Sequence, residues 1–146
     1  MEIERKYIIE ETPKNLENFV SKKIKQGYIS TSPVIRIRQL DDDYILTIKG
    51  KGLLAREEHE INISKNEFYS LHEKVDGLVI DKTRYYIPYE KYTIELDVFH
   101  KDYEGLILAE VEFESIEEAN IFTPPKWFGP DVTHSSKYHN STLSKA

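Results

Sequence analysis

The strongest constraint in this chain is a repeated alternation of charged and apolar residues, in which neighbouring charges on one face mostly share a sign. The first instance runs from Met1 to Ile9. Successive side chains of an extended strand face opposite ways, so Glu2, Glu4 and Lys6 share one face and Ile3, Arg5 and Tyr7 the other. The pattern returns with Arg36/Arg38, Lys49/Lys51, Glu58/Glu60, Lys82/Arg84, Glu95/Asp97 and Glu110/Glu112, separated by Ile37, Gly50, His59, Thr83, Leu96 and Val111. Alternation alone describes an ordinary half-solvated sheet, apolar face in and polar face out. The sorting of sign says more. Like charges two positions apart on one strand repel unless opposite charge lies across from them, and a closed barrel sets basic strands opposite acidic ones with room for ions between.

The elements follow from period and punctuation. Met1 to Glu11 reads as a strand ended by Thr12-Pro13. Leu16, Phe19 and Val20 fall at helical spacing and predict a short helix from Asn15 to about Lys22. Further strands are expected at Ile24–Ser30, Val34–Arg38, Tyr44–Lys49, Arg56–Ile63, Val79–Tyr89, Thr93–Phe99 and Leu106–Glu114, with a turn at Asp41-Asp42-Asp43. Ser64-x-x-Glu67 and Ser115-x-x-Glu118 are capping boxes that start helices reaching about Lys74 and Ile121. The tail from Thr133 holds one or two helical turns. The expected fold is all-β dominated (α+β): about eight antiparallel strands closed into a barrel, with a few short helices outside.

The 146 residues make a single domain spanning 1–146, long enough to bury a core. No run approaches a membrane span, no basic-then-apolar leader opens the chain, and no cysteine is present. A cytoplasmic protein with no membrane partner is the simplest expectation. The net charge of −6 argues against a non-specific nucleic-acid partner. It does not exclude an anionic ligand, because local clustering decides that.

Basic pairs suit non-bridging phosphate oxygens through charge-assisted hydrogen bonds. Acidic pairs suit Mg²⁺ or Mn²⁺, which prefer hard oxygen ligands. A metal and several cations around a polyphosphate would neutralise the charge that develops in phosphoryl transfer. No Ser-His-Asp or Cys-His arrangement is legible, Gly50-Lys51-Gly52 is no Walker motif, and His134 and His139 read as surface residues.

The chain resembles a known family at this point. Glu2-Ile3-Glu4-Arg5-Lys6 is similar to the Glu-x-Glu-x-Lys signature of the CYTH superfamily, the triphosphate tunnel metalloenzymes. The likeness continues through Gln26-Gly27-Tyr28, Arg36-Ile37-Arg38, Thr47-Ile48-Lys49-Gly50 and Arg56-Glu57-Glu58-His59-Glu60. Lys82-Thr83-Arg84-Tyr85, Glu95-Leu96-Asp97, Ala109-Glu110-Val111-Glu112-Phe113 and Pro125-Lys126-Trp127 complete it, in order along nearly the whole chain. The tail departs: Val132 to Asn140 carries Lys137 and Ser135 where the family usually has arginine and an acid or amide.

The resemblance implies an eight-stranded tunnel that binds a linear triphosphate, in a monomer or homodimer. It implies Glu2, Glu4, Asp97, Glu110 and Glu112 as holders of Mg²⁺ or Mn²⁺. Lys6, Arg36, Arg38, Lys49, Lys82 and Arg84 would grip phosphate, with Glu58 and Glu60 orienting them. Tyr28, with Lys82 beside it, would activate the water; the alternative for Tyr28 is a phosphate or packing contact. The implied activity is metal-dependent hydrolysis of tripolyphosphate to pyrophosphate and phosphate. Class IV adenylate cyclase, thiamine or nucleoside triphosphatase, and a non-catalytic polyphosphate-binding module are the alternatives.

Overall fold

The computed structural model describes residues 1–145. Nine strands form one antiparallel sheet: β1 Glu2–Ile8, β2 Val20–Thr31, β3 Val34–Leu40, β4 Asp43–Lys49, β5 Ala55–Arg56, β6 Glu58–Asn62, β7 Ile80–Tyr89, β8 Tyr92–Phe99 and β9 Ile107–Glu112. Their spatial order is β5-β1-β9-β8-β7-β2-β3-β4-β6. The two outermost strands, β5 and β6, are separated in the chain by Glu57 alone. β5 pairs with β1 through Glu2↔Arg56, and β6 pairs with β4 through Lys49↔Glu58. The expected single strand Arg56–Ile63 is therefore bent at Glu57, and its two arms bring the ends of the sheet together. The barrel is nearly closed.

The apolar core lies outside the barrel wall. Ile3, Tyr7, Ile94, Leu96, Val111 and Phe113 turn outward from their strands and pack against Ala119 and Phe122. Ala119 belongs to helix α2, Ile116–Ile121, whose N-cap Ser115 accepts from Glu118 N. Helix α1, Lys65–His72, opens on the reciprocal Ser64/Glu67 box and seats Phe68 against Tyr44. Apolar residues placed outward leave the alternate positions, charged ones, to face inward. The sequence pattern is thus satisfied by an inverted barrel, polar inside and apolar toward the helices.

One element differs from expectation. Asn15 to Lys22 is not a helix: Leu16–Asn18 makes a single 3-10 turn, and β2 begins at Val20. Val20 pairs with Tyr86 and Lys22 with Arg84, so ladder hydrogen bonds to β7 outweigh the weak helical spacing. Pro88 sits in β7 beyond Tyr86, where β2 pairing has ended, so its missing N–H breaks no bond on that side. The C-terminal segment forms a 3-10 turn at Ser136–Tyr138 and helix α3 at Asn140–Leu143. It folds over one end of the barrel, where Leu143 joins Tyr28, Val34, Ile80, Phe99 and Leu108. No described helix is long and apolar enough to cross a membrane.

Candidate active site

The barrel encloses a chamber of about 210 Å³. Its wall includes Glu2, Glu4 and Lys6 from β1, Arg36 and Arg38 from β3, and Lys49 from β4. Arg84 from β7 and Glu110 and Glu112 from β9 complete it, with Glu58 and Glu60 from β6 toward one mouth. Tyr28, 3% exposed, reaches it from β2. Across β1 and β9 the register sets Lys6 beside Glu110, mixing sign, and Glu4 beside Glu112, gathering acid.

Glu2, Glu58, Glu95 and Glu110 are each engaged with a cation. Lys49 Nζ lies 2.9 Å from Glu2 and 3.3 Å from Glu58, and Lys6 Nζ lies 3.6 Å from Glu110. Arg84 reaches Glu95 at 3.2 Å and Glu110 at 4.0 Å. Burial, with Glu110 and Glu2 beside it, pushes the Glu4 carboxyl well above the usual carboxylate range. Burial would raise Glu110 too, but Lys6, Arg84 and Lys82 outweigh it and hold that carboxyl well below. Two acids on neighbouring strands thus differ in proton affinity because one has cations close by and the other has acids.

Lys82 and Asp97 stand behind the wall. Lys82 is fully buried and Asp97 is 1% exposed. Asp97 Oδ1 accepts from Arg84 Nε at 2.7 Å, and Oδ2 accepts from Arg84 Nη2 at 2.9 Å and faces Lys82 Nζ at 2.7 Å. Lys82 also donates to Asn140 Oδ1 at 3.3 Å and sits over the Phe99 ring. Burial pulls the Lys82 ammonium down to about 7 against the opposing pull of Asp97. Among the described residues no hydrogen bond joins Lys82 to Tyr28.

Several lining residues escaped the sequence reading. Arg56 and Glu95 line the chamber, as do Tyr86, Asn140 and Ser141. Glu95 carried a signal in its parity with Asp97; the others had none. His139 also departs from expectation. It is half-buried at the chamber rather than on the surface, because the tail folds onto the barrel end and Lys6 Nζ donates to Tyr138 O at 3.1 Å. Burial, with Lys6 and Arg56 nearby, lowers the His139 imidazole to about 4. His134 stays exposed.

The donor set fits a hard cation in chemistry, since Glu2, Glu4, Glu110 and Glu112 face one chamber. As these side chains stand, no three His, Asp or Glu groups among the described residues converge to hold a metal, and lysines occupy Glu2 and Glu110. A bound cation would replace those ion pairs and release the bases toward an anionic ligand.

A nearly closed antiparallel barrel, apolar outside and lined inside with cations and carboxylates, defines the tunnel class of domain. The CYTH domain model matches residues 1–145, and the chain belongs to the CYTH family. It is 38% identical over 148 residues to an inorganic triphosphatase of Nitrosomonas europaea, covering 98% of this chain and 96% of that protein. It is 36% identical over 149 residues to an inorganic triphosphatase of Acetivibrio thermocellus, covering 99% and 93%. The crystal structure of the inorganic triphosphatase NE1496 superposes with a TM-score of 0.74 at 34% identity, covering 100% of this chain and 95% of that one.

Proposed function

We propose that the protein is a metal-dependent inorganic triphosphatase that hydrolyses tripolyphosphate to pyrophosphate and phosphate. The observation that carries this reading is the crowding of three guanidinium groups. Burial, with Arg36 and Arg84 beside it, lowers Arg38 to about 10. Arg36 Nε is buried without a protein acceptor, while its Nη2 donates to Thr47 at 3.3 Å. Like charges held together in an enclosed chamber call for a multiply charged anion, and phosphate oxygens match guanidinium donors in geometry.

In this reading Lys6, Arg36, Arg38, Lys49 and Arg84 bind and orient the three phosphoryl groups. Their fixed positive charge stabilises the charge that develops as water adds to a terminal phosphorus and the bridging P–O bond breaks. Glu58, through Lys49, fixes one of these cations, and Glu60 marks the mouth. Glu2, Glu4, Glu110 and Glu112 would hold Mg²⁺ or Mn²⁺, which supplies charge neutralisation at phosphate oxygens. Asp97, with both oxygens committed, serves as the counter-ion that aims Lys82 and Arg84. Tyr28 contacts the water from the chamber wall, and Lys82, close to half-protonated near neutrality, exchanges the proton behind it. A cytoplasmic location, where small triphosphates and magnesium are available, belongs to the same reading.

The test is phosphate release from tripolyphosphate and from ATP, with Mg²⁺, Mn²⁺ or chelator, on wild type and Glu4→Gln. Metal-dependent turnover of tripolyphosphate, lost in the variant, is expected. A cyclic product from ATP alone would move the protein to the cyclases. Binding without turnover of either compound would make it a polyphosphate-binding module.

A further inference from the structure

The chamber wall holds its cations in two ways. Lys6, Lys49, Arg56 and Arg84 each have a carboxylate partner, in Glu110, Glu2, Glu2 and Asp97 respectively. Arg36 and Arg38, two positions apart on β3, make no ion pair among the described residues. Each is held instead by a neutral acceptor on a neighbouring strand. Arg38 Nε donates to Gln26 Oε1 at 2.8 Å, and Arg36 Nη2 donates to Thr47 Oγ1 at 3.3 Å.

The sheet register produces both contacts. Gln26 lies opposite Arg38 across β2 and β3, and Thr47 lies opposite Arg36 across β3 and β4. Residues directly opposite each other in an antiparallel pair share a face, so both neutral side chains turn inward with the guanidinium groups. Both are fully buried. The strand beneath Gln26 is also fixed from outside. A Cβ on Gly27 would fall 2.7 Å from a Val75 methyl carbon, and Tyr28 O accepts from Asp76 N at 2.8 Å.

A carboxylate at position 26 would make the stronger bond to Arg38, but it would also compensate the charge that an anionic ligand requires. The Gln26 carbonyl oxygen aims the guanidinium through Nε and leaves that charge intact. Among the described residues no protein acceptor takes either Nη group of Arg38. Those two groups form the end of the fork that matches a pair of phosphate oxygens. Gln26 Nε2 is buried without a protein acceptor, so the amide commits one end to Arg38 and keeps a donor at the other.

We propose that Gln26 is a positioning residue for triphosphate binding: its neutral amide fixes the aim of Arg38 and leaves the guanidinium fully charged for the substrate. Thr47 holds Arg36 in the same manner. This inference rests on the triphosphatase reading above, and its test separates the two.

The experiment measures kcat and KM for tripolyphosphate, together with melting temperature, in wild type, Gln26→Glu and Gln26→Met. Glutamate keeps the shape and the acceptor and adds a counter-charge. Methionine fills a similar space with a flexible apolar chain and removes the acceptor. Gln26→Glu is expected to raise KM about tenfold with kcat within about threefold of wild type, because a compensated Arg38 binds substrate and transition state more weakly alike. Gln26→Met is expected to lower kcat about tenfold, because a guanidinium without its anchor is misdirected in the transition state. Melting close to wild type is expected in Gln26→Met, which carries the test alone if the glutamate variant does not fold. Wild-type kinetics in Gln26→Met, the same kcat and KM pattern in both variants, or losses that track falling melting temperatures overturn the proposal. If wild type does not hydrolyse tripolyphosphate, the triphosphatase reading fails by itself, and calorimetric binding of tripolyphosphate decides the role of Gln26. Binding about tenfold weaker in Gln26→Glu supports it, and equal binding overturns it.

Discussion

Lys82 Nζ and Asp97 Oδ2 lie 2.7 Å apart, with side-chain exposures of 0% and 1%. Asp97 also takes a two-pronged contact from Arg84, so one carboxylate holds two buried cations. Removing one member of a buried ionic group leaves an uncompensated charge, at about 3–5 kcal/mol. Asp97→Ala is expected to lose stability of that order in denaturant unfolding at neutral pH. A loss under about 1 kcal/mol would show that water already reaches this group.

Lys82 also predicts a pH dependence. With its ammonium pulled down to about 7, the neutral amine accumulates as pH rises through that value. If Lys82 accepts the proton, kcat on tripolyphosphate rises through about pH 7 and then levels. Lys82→Gln is expected to lower the rate and remove that limb. A variant that retains the limb would assign it to another group.

Glu4 lies between Glu2 and Glu110, which raise its proton affinity, and a divalent cation would relieve all three acids. Glu4→Gln should reduce metal-dependent turnover by on the order of a hundredfold or more. Chelator should abolish wild-type activity, and Mg²⁺ or Mn²⁺ should restore it. Calorimetric titration of metal into the variant should show the matching loss of affinity.

His139 gives a stability signature on the acid side. Its folded-state value of about 4 lies below the ordinary 6.5, so between those values the unfolded chain binds a proton that the folded one refuses. The contribution is complete above about 6.5 and is lost as pH falls toward 4. Melting temperatures of wild type and His139→Asn should therefore converge as pH falls through this window. Parallel curves would place the imidazole in water.

Much of this was readable from local pattern. The two-residue period of Arg36-Ile37-Arg38 or Glu110-Val111-Glu112 fixes which side chains share a face, whatever the strand pairs with. The Ser64 and Ser115 caps are likewise local, because the bonds run three residues along the chain. The 15–22 segment misled because its helical spacing was short, and β7 offered hydrogen bonds from a distant part of the chain. Arg56, Asn140 and His139 were invisible as chamber residues because only the folding of a loop and of the tail onto the barrel end brings them there.

The sequence by itself determined an alternation with sorted charge, the strands that carry it, and membership of a family with this motif order. Side-chain parity is a property of the extended backbone and needs no partner. Tertiary structure decided the rest: the bend at Glu57 that closes the sheet, the pairing of Lys49 with Glu2 and of Lys82 with Asp97, and the retreat of Asp97 behind the wall. Those depend on register and stagger around a closed barrel, which bring together charges tens of residues apart and exclude the water that would screen them.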